Sequence, residues 1–255
     1  MKNKILGSIL LVSVLLSAGC RKDLNRDYTG DFDLVPSNSA QLKVIYASAY
    51  PTNPSVQIKL DGKRVSGLIT GRTPFPGGGF NTTGSNFPDY LLVNNGARQL
   101  SISIPKRNTE TDSIVLFNTN FSVDAGKKYT LNVMDTGVNT KSLLVVDTMQ
   151  NYSRAMVKYR FVNLMPNVPS VDLYYGTVLV AAGVAYNSPG VTISMPTPPT
   201  TLAWAIRETG SATNLATYSS GNTIVGSRVY TAFAMGYKGQ SSTALRPYIS
   251  FTINK

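Results

Sequence analysis

The side chain best suited to covalent chemistry is Cys20, the only cysteine among 255 residues. It directly follows three small residues, Ser17-Ala18-Gly19. The chain has no histidine. This removes the Ser-His-Asp and Cys-His arrangements of nucleophilic catalysis, histidine-bearing zinc sites and the commonest general base. The chemistry that remains for Cys20 is modification by another enzyme.

The residues before Cys20 have the three-part layout of a secretory signal peptide. Lys2 and Lys4 give a positive start, residues 5–16 are mostly apolar, and small residues follow. The apolar run is short for a membrane-spanning helix, which needs about 20 apolar residues. An ordinary secreted protein is the alternative. This alternative is disfavoured because an unpaired thiol in an oxidising compartment tends to form intermolecular disulfides.

The stretch that ends at Cys20 resembles a bacterial lipoprotein signal. The resemblance implies a diacylglyceryl group on the Cys20 thiol, cleavage after residue 19 and acylation of the new amine. Leucine is usual three residues before the cysteine; Ser17 stands there, and Leu16 precedes it. Each buried CH₂ contributes about 0.8 kcal/mol to membrane binding, so more than one acyl chain gives stable anchoring. We therefore expect an exported protein, lipid-anchored in the cell envelope at the outer membrane.

The charge balance predicts a basic surface without a nucleic-acid site. Removal of residues 1–19 takes away Lys2 and Lys4 and no acidic residue, which leaves 22 Lys+Arg, 13 Asp+Glu and a formal net charge of +9. The basic residues are scattered, without a block of five or six like charges. Anionic lipid head groups or acidic polysaccharide would attract such a protein non-specifically, and we interpret the charge as a solvated surface. The adjacent basic pairs are Arg21-Lys22, Lys63-Arg64, Lys106-Arg107 and Lys127-Lys128.

The chain after Cys20 has the pattern of an all-β protein. Residues 20–39 are polar and lack a helix or strand period, which is typical of a flexible tether. After residue 39 come short runs in which apolar and polar residues alternate. Turn signals such as Asp61-Gly62 separate these runs. Residues 73–89, rich in glycine and proline, are expected to form a long loop. A polar break at residues 149–154 divides two sets of about seven strands each.

Seven short strands in about 100 residues, with frequent turns, fit an immunoglobulin-like β-sandwich. The sequence therefore predicts two tandem immunoglobulin-like antiparallel β-sandwich domains, at residues 40–152 and 153–255. They follow the signal peptide at residues 1–19 and the lipidated tether at residues 20–39.

The two sets of strands contain an internal repeat. Residues 43–58 align with residues 158–173 over a strand, a turn rich in proline and asparagine, and a second strand. The second strand begins with Pro54-Ser55-Val56-Gln57 in one copy and with Pro169-Ser170-Val171-Asp172 in the other. This arrangement resembles the opening of the domain-of-unknown-function 4397 family. The resemblance implies a sandwich fold and a cell-envelope lipoprotein of Bacteroidota, and it implies no activity.

No group of residues in the sequence favours catalysis or metal binding. The acidic residues are few and scattered, and no calcium-loop or phosphate-loop motif occurs. We therefore expect neither a metal nor a cofactor. Two stretches, Asp112-Ser113-Ile114 and Asp147-Thr148-Met149, resemble the Asp-Ser/Thr-apolar acceptor pattern for O-glycosylation in some Bacteroidota. Ser113 and Thr148 are accordingly candidate modification sites.

Aromatic side chains are the remaining candidates for ligand contact, because aromatic rings can stack on sugars. Trp204 alternates with Leu202 and Ile206, which indicates a core position. The candidates for ligand contact flank the glycine-rich loop; they are Phe75, Phe80, Phe87 and Tyr90.

The favoured hypothesis is a non-enzymatic, lipid-anchored envelope protein whose two sandwiches act as a binding, adhesion or scaffold module. Its partners would be the membrane, through the lipid on Cys20, and an envelope protein or glycan, but not nucleic acid. The first alternative is a glycan-binding accessory lipoprotein that uses the loop aromatics. The remote alternative is a hydrolase with a convergent pair of carboxylates.

Overall fold

A computed structural model describes residues 36–71, 88 and 90–255, and Ser37–Lys255 form one compact unit. The described residues include short 3₁₀ turns at Gly137–Asn139 and Gly221–Thr223. Among the described residues, no helix has the length and apolar character needed to cross a membrane. The strands found there are β1 (Ser39–Tyr46), β2 (Gln57–Leu60), β3 (Lys63–Arg64), β4 (Leu91–Asn94), β5 (Gly96–Pro105), β6 (Asp112–Val123), β7 (Lys128–Met134), β8 (Lys141–Val146), β9 (Met156–Asn163), β10 (Ser170–Tyr175), β11 (Val178–Ala185), β12 (Val191–Pro196), β13 (Trp204–Glu208), β14 (Asn214–Tyr218), β15 (Val229–Met235) and β16 (Tyr248–Ile253).

The strands form four-stranded sheets that use one topology twice. The first half has a sheet of order β4-β1-β7-β8 and a sheet of order β3-β2-β5-β6. The second half has the orders β12-β9-β15-β16 and β11-β10-β13-β14. Each strand of the second half thus occupies the place of a strand eight positions earlier. The prediction of an all-β protein with tandem β-sandwiches is confirmed.

Each half also contains a parallel strand pair, which differs from the purely antiparallel sandwich that the sequence predicts. β1 runs parallel to β7, with Leu42 opposite Tyr129, and β9 runs parallel to β15, with Tyr159 opposite Tyr230. A tight turn cannot join parallel neighbours, because the chain must first return to the end at which it started. Here five intervening strands make that return, so no local signal marks the pairing.

Local signals explain most strand positions. The Asp61-Gly62 turn is confirmed: both residues have positive φ, 50° and 79°, as a two-residue type I′ hairpin requires. The return strand β3 has only two residues, although Ile69 still forms a bridge with Val56. Strands β4 and β14 are not predicted, because Leu91-Leu92-Val93 lacks alternation and Asn214–Tyr218 is short and largely polar.

Each sandwich encloses its own apolar core. In the first, Leu42 of one sheet packs in the same cluster as Ile102 of the other. In the second, Trp204 is fully buried, and its Nε1 donates to Thr223 Oγ1 at 2.9 Å. The Tyr159 ring packs against the indole in a T-shaped arrangement, with the ring centroids 5.0 Å apart. The core position predicted for Trp204 is confirmed.

A third apolar cluster joins the two sandwiches. Ile45 and Met134, on the sheet of β1 and β7, pack in one cluster with Val162 and Phe233, on the sheet of β9 and β15. All four side chains have no exposed surface. The central strands β1, β7, β9 and β15 are therefore covered on both faces, by the core of their own sandwich and by the other sandwich.

The acidic residue that follows Pro-Ser-Val in the second copy of the repeat has a structural role. Asp172 lies in β10, and its Oδ1 accepts from the Gly183 backbone N–H at 2.7 Å and from Thr209 Oγ1 at 3.0 Å. Gly183 has a positive φ of 62° in β11, where the register with β10 shifts. In the first sandwich Gln57 takes the place of Asp172, and its amide Nε2 lies 2.8 Å from the carboxylate of Asp112 on β6.

Candidate functional site

One concave feature of the first sandwich is a cleft beside the β5–β6 turn. It has a volume of about 610 Å³ and continues into a second depression of about 630 Å³ over β2 and β3. Arg64 and Glu110 line both parts. We call the two parts together the basic cleft. Its lining residues are Ser55, Lys59, Gly62, Lys63, Arg64, Leu68, Ile104, Pro105, Lys106, Arg107, Asn108, Thr109, Glu110, Thr111 and Asp112.

Two hairpins bring the cations of the basic cleft together. The tight turn after β2 places Lys63-Arg64 on β3, and the Arg64 Nε donates to the Ser66 carbonyl at 2.7 Å. The turn between β5 and β6 carries Lys106-Arg107, and it is closed by a hydrogen bond from the Lys106 N–H to the Thr111 carbonyl at 2.8 Å. The site is therefore supported on both sides by hydrogen bonds to backbone carbonyls.

Buried polar groups fasten the β5–β6 turn to the sheet. Gln57 is fully buried, and its Nε2 lies 2.9 Å from the Glu110 carbonyl and 2.8 Å from Asp112 Oδ1. Lys59 forms an ion pair with Asp112 at 2.8 Å. The hydrogen bond with Lys59, followed by the one from Ser103, holds the pKa of Asp112 below its usual range. Because Asp112 is ionised and neutralised by Lys59, this pair supports the fold.

The other titratable groups that line the basic cleft are four cations and one carboxylate, Glu110. Leu68, which is 57% exposed, and Ile104 add apolar surface. Arginine and lysine beside apolar surface can hold an anionic group and part of an uncharged body. Across the described stretches of the chain, no three or more His, Cys, Asp or Glu residues form a group that could hold a metal ion.

The interpretation of the basic pairs as scattered is wrong for two of the four. Lys63-Arg64 and Lys106-Arg107 lie more than forty residues apart in the sequence but line one cleft. A search for blocks of charge does not find them, because each pair is short. The available signal was that each pair lies at or beside a turn between two predicted strands.

A second polar group, which we call the buried junction, lies between the sandwiches. It consists of Lys43, Tyr90, Thr130, Asp147 and Asn254. Asp147 Oδ2 accepts from Thr130 Oγ1 at 2.6 Å and from the Tyr90 hydroxyl at 2.9 Å. Asn254, at the end of the second sandwich, donates from Nδ2 to Asp147 Oδ1 at 3.2 Å. The buried junction thus adds polar contacts between the two sandwiches to the apolar contacts of the third cluster.

Lys43 supplies the positive charge of the buried junction. Its side chain has no exposed surface, and Nζ donates to the Ile253 carbonyl and, at 3.1 Å, to Asn254 Oδ1. Nζ also lies 4.4 Å from the centroid of the Tyr90 ring. A lysine of the first sandwich is thus held by the last strand of the second.

Burial raises the pKa of Asp147, although Thr130 and the charge of Lys43 act in the opposite direction. A carboxyl whose folded-state pKa lies above its unfolded value of 3.8 contributes stability below that value and loses it as the pH rises through the folded pKa. We expect the Asp147→Asn variant to lack this dependence. The free energy of unfolding of the variant minus that of the native protein should increase as the pH rises from 3.8 through the folded-state pKa of Asp147.

Urea unfolding of both proteins at a series of pH values tests this expectation. The chain has no histidine, so no histidine titration overlaps the window. A difference between the two proteins that does not change with pH would contradict the raised pKa of Asp147.

The site residues predicted from the sequence fall into three groups. Cys20 and the loop aromatics Phe75, Phe80 and Phe87 lie outside the described residues, and their roles stay predictions. Tyr90 is described: it belongs to the buried junction, and its role in ligand contact stays a prediction. Ser113 and Thr148 are both exposed, as a modifying enzyme would need, and their modification also stays a prediction.

Comparison with known proteins identifies one family. The model of the family described as Domain of unknown function (DUF4397) matches residues 40–174, which cover the first sandwich and the opening of the second. No curated protein matches.

Several solved structures are weakly similar. A family 26 carbohydrate-binding module from Eubacterium rectale, in complex with maltoheptaose, is 10% identical with a TM-score of 0.25, over 83% of this chain and 95% of its own. An α-glucan-binding streptococcal virulence factor is 12% identical with a TM-score of 0.26, over 84% and 96% of the two chains. TM-scores in this range carry no argument about the function of this chain.

Proposed function

This chain belongs to the DUF4397 family, and we propose that it is a non-enzymatic binding module of the cell envelope. The observation that carries the proposal is the basic cleft. Four cations converge there from two hairpins, on a surface that is open to solvent and held by backbone hydrogen bonds. Such an arrangement of cations can bind an anion.

The contact between the sandwiches supports a scaffold or adhesion role. Ile45, Phe233 and their neighbours form an apolar cluster across the contact, and Lys43 is fully buried beside it. A covered contact of this kind holds the two sandwiches, with domain limits at residues 40–152 and 153–255, as one body. A module that resists force or presents a site at a fixed distance benefits from such rigidity.

The anchor is the second part of the proposal. The positive start, the apolar residues 5–16 and the small residues before Cys20 support export followed by lipid attachment at the thiol. The mature protein would then be held at the outer membrane by acyl chains, with residues 20–39 as the tether.

The anchor is tested by the Cys20→Ser variant. Without a thiol no diacylglyceryl group can be attached, so we expect the variant to lose incorporation of an alkyne-labelled fatty acid and to leave the membrane fraction. The matched control is Ser17→Leu, which places leucine three residues before the cysteine and should keep both properties. A native protein that incorporates no fatty acid, or a Cys20→Ser variant that stays as membrane-bound as the native protein, would refute the anchor.

A further inference from the structure

We propose that the basic cleft binds an acidic polysaccharide that carries one carboxylate per sugar ring. The inference deepens the proposed binding role and rests on it. The two parts of the cleft are about 610 and 630 Å³, and each compares with the 300–1,000 Å³ typical of a pocket for a whole small ligand. A single small anion would leave most of this space empty, whereas several linked units would fill it.

The cations are arranged for separate anionic groups. Lys63 lines the part over β2 and β3, Lys106 and Arg107 line the part beside the β5–β6 turn, and Arg64 lines both. The guanidinium groups can each hold a planar carboxylate with two parallel hydrogen bonds. A ligand with its charges on separate units can therefore engage both basic pairs at once.

Glu110 selects against a densely charged polymer. This residue lines both parts of the cleft, and its carboxylate would repel a closely spaced row of sulfates or phosphates. The same carboxylate can accept hydrogen bonds from sugar hydroxyls. Asn108, Thr109 and Thr111 offer further polar contacts for hydroxyl groups, and Leu68 with Ile104 offers apolar surface for the C–H faces of a sugar ring.

An acidic peptide fits this surface less well. Peptides that bind to sheets commonly add a strand to an exposed edge. One edge of this sheet, β6 (Asp112–Val123), meets the cleft only at Asp112, and the edge that lies along the cleft, β3, has only two residues, Lys63–Arg64. So short an edge offers few backbone hydrogen bonds to an added strand.

The position of the cleft also disfavours a lipid surface. The Asn95 N–H at the start of β5 donates to the Asn38 carbonyl, close to where the described chain begins at Pro36. Lys106 follows the opposite end of β5, and nine steps along a strand span about 30 Å. The Lys106-Arg107 side of the cleft therefore lies at the end of the sandwich remote from Asn38, and a sandwich that rested on a membrane with its Asn38 end would turn these cations away from the lipid.

The test is a titration of the full chain, in detergent, with polygalacturonate as the probe. We expect binding that weakens as salt is added, because the contacts are charged. The variants Lys106→Gln/Arg107→Gln and Lys63→Gln/Arg64→Gln should each weaken binding about tenfold or more, since each removes two charge-assisted contacts. The matched control is Lys127→Gln/Lys128→Gln, which makes the same charge change outside the cleft and should alter binding less than about twofold.

The outcomes separate this inference from its alternatives. No binding of polygalacturonate, equal weakening by the control pair, or equal binding of the fully methyl-esterified polymer would each overturn it. Heparin or poly-glutamate that binds more tightly than polygalacturonate, with the same dependence on Lys106 and Arg107, would reassign the cleft to sulfated polymers or acidic peptides. Binding of phosphatidylglycerol vesicles with that dependence would reassign it to lipid. None of these results changes the fractionation of the Cys20→Ser variant, so failure of the ligand is distinguishable from failure of the anchor.

Discussion

Replacement of Lys43 by methionine is expected to lower the free energy of unfolding by about 1–3 kcal/mol, the cost of leaving buried hydrogen-bond acceptors without their donor. Methionine keeps most of the aliphatic length of lysine, so the change removes the charge and its hydrogen bonds with little loss of volume. The Ile253 carbonyl and Asn254 Oδ1 each lose the donor that Nζ provides. The charge of Asp147 loses the cation that offsets its burial.

Urea unfolding followed by tryptophan fluorescence and far-UV circular dichroism measures this effect. The matched control is Lys141→Met on β8, an exposed lysine on the same sheet, which should change the free energy by less than about 0.5 kcal/mol.

The double variant Lys43→Met/Asp147→Asn separates charge from packing. Its loss in the free energy of unfolding should be smaller than the sum of the losses in the two single variants, because the carboxylate that Lys43 would offset is gone. If Lys43→Met unfolds as the native protein does, the buried junction does not stabilise the fold.

Replacement of Ile45 by alanine is expected to destabilise the second sandwich as well as the first. Ile45 lies on β1 of the first sandwich, is fully buried and packs in one cluster with Val162 and Phe233 of the second. Loss of a buried isoleucine costs about 2–5 kcal/mol, depending on how far the cavity collapses. Because the cavity opens at the contact between the sandwiches, the cost falls on both.

The chain provides its own probe for this coupling. Trp204 is the only tryptophan and is buried in the second sandwich, so its fluorescence reports that sandwich alone. We expect Ile45→Ala to lower the denaturant midpoint seen by Trp204 fluorescence together with the midpoint seen by circular dichroism. The control Ile114→Ala, at a 55% exposed position of β6, should leave both unchanged. If fluorescence stays at the native midpoint while circular dichroism shifts, the sandwiches unfold independently.

Features that depend on short stretches of sequence were predictable. The Asp61-Gly62 hairpin follows from two adjacent residues that tolerate positive φ. The core position of Trp204 follows from its alternation with apolar neighbours. The repeat of Pro-Ser-Val in two places indicated two similar units, and the two sheets of each half share one strand order. In each case neighbouring residues carry the whole signal.

The faces of β1 show where local reasoning fails. Leu42 and Val44 alternate with Lys43 and Ile45, which is typical of a strand with one buried face, yet all four side chains are at most 1% exposed. Alternation tells which side chains share a face. What covers that face depends on the packing of the other sandwich, which no residue near Lys43 encodes.

The sequence by itself determined the elements of this protein: the lipoprotein-like signal before Cys20, the β-rich composition, most strands and their turns, and the two similar units. Tertiary structure alone decided the parallel pairs, the buried Lys43 and the basic cleft. Strand periods and turns arise from interactions between residues a few positions apart. The cleft instead needs Lys63-Arg64 and Lys106-Arg107 to meet across a sheet, and that meeting depends on how the whole chain is threaded.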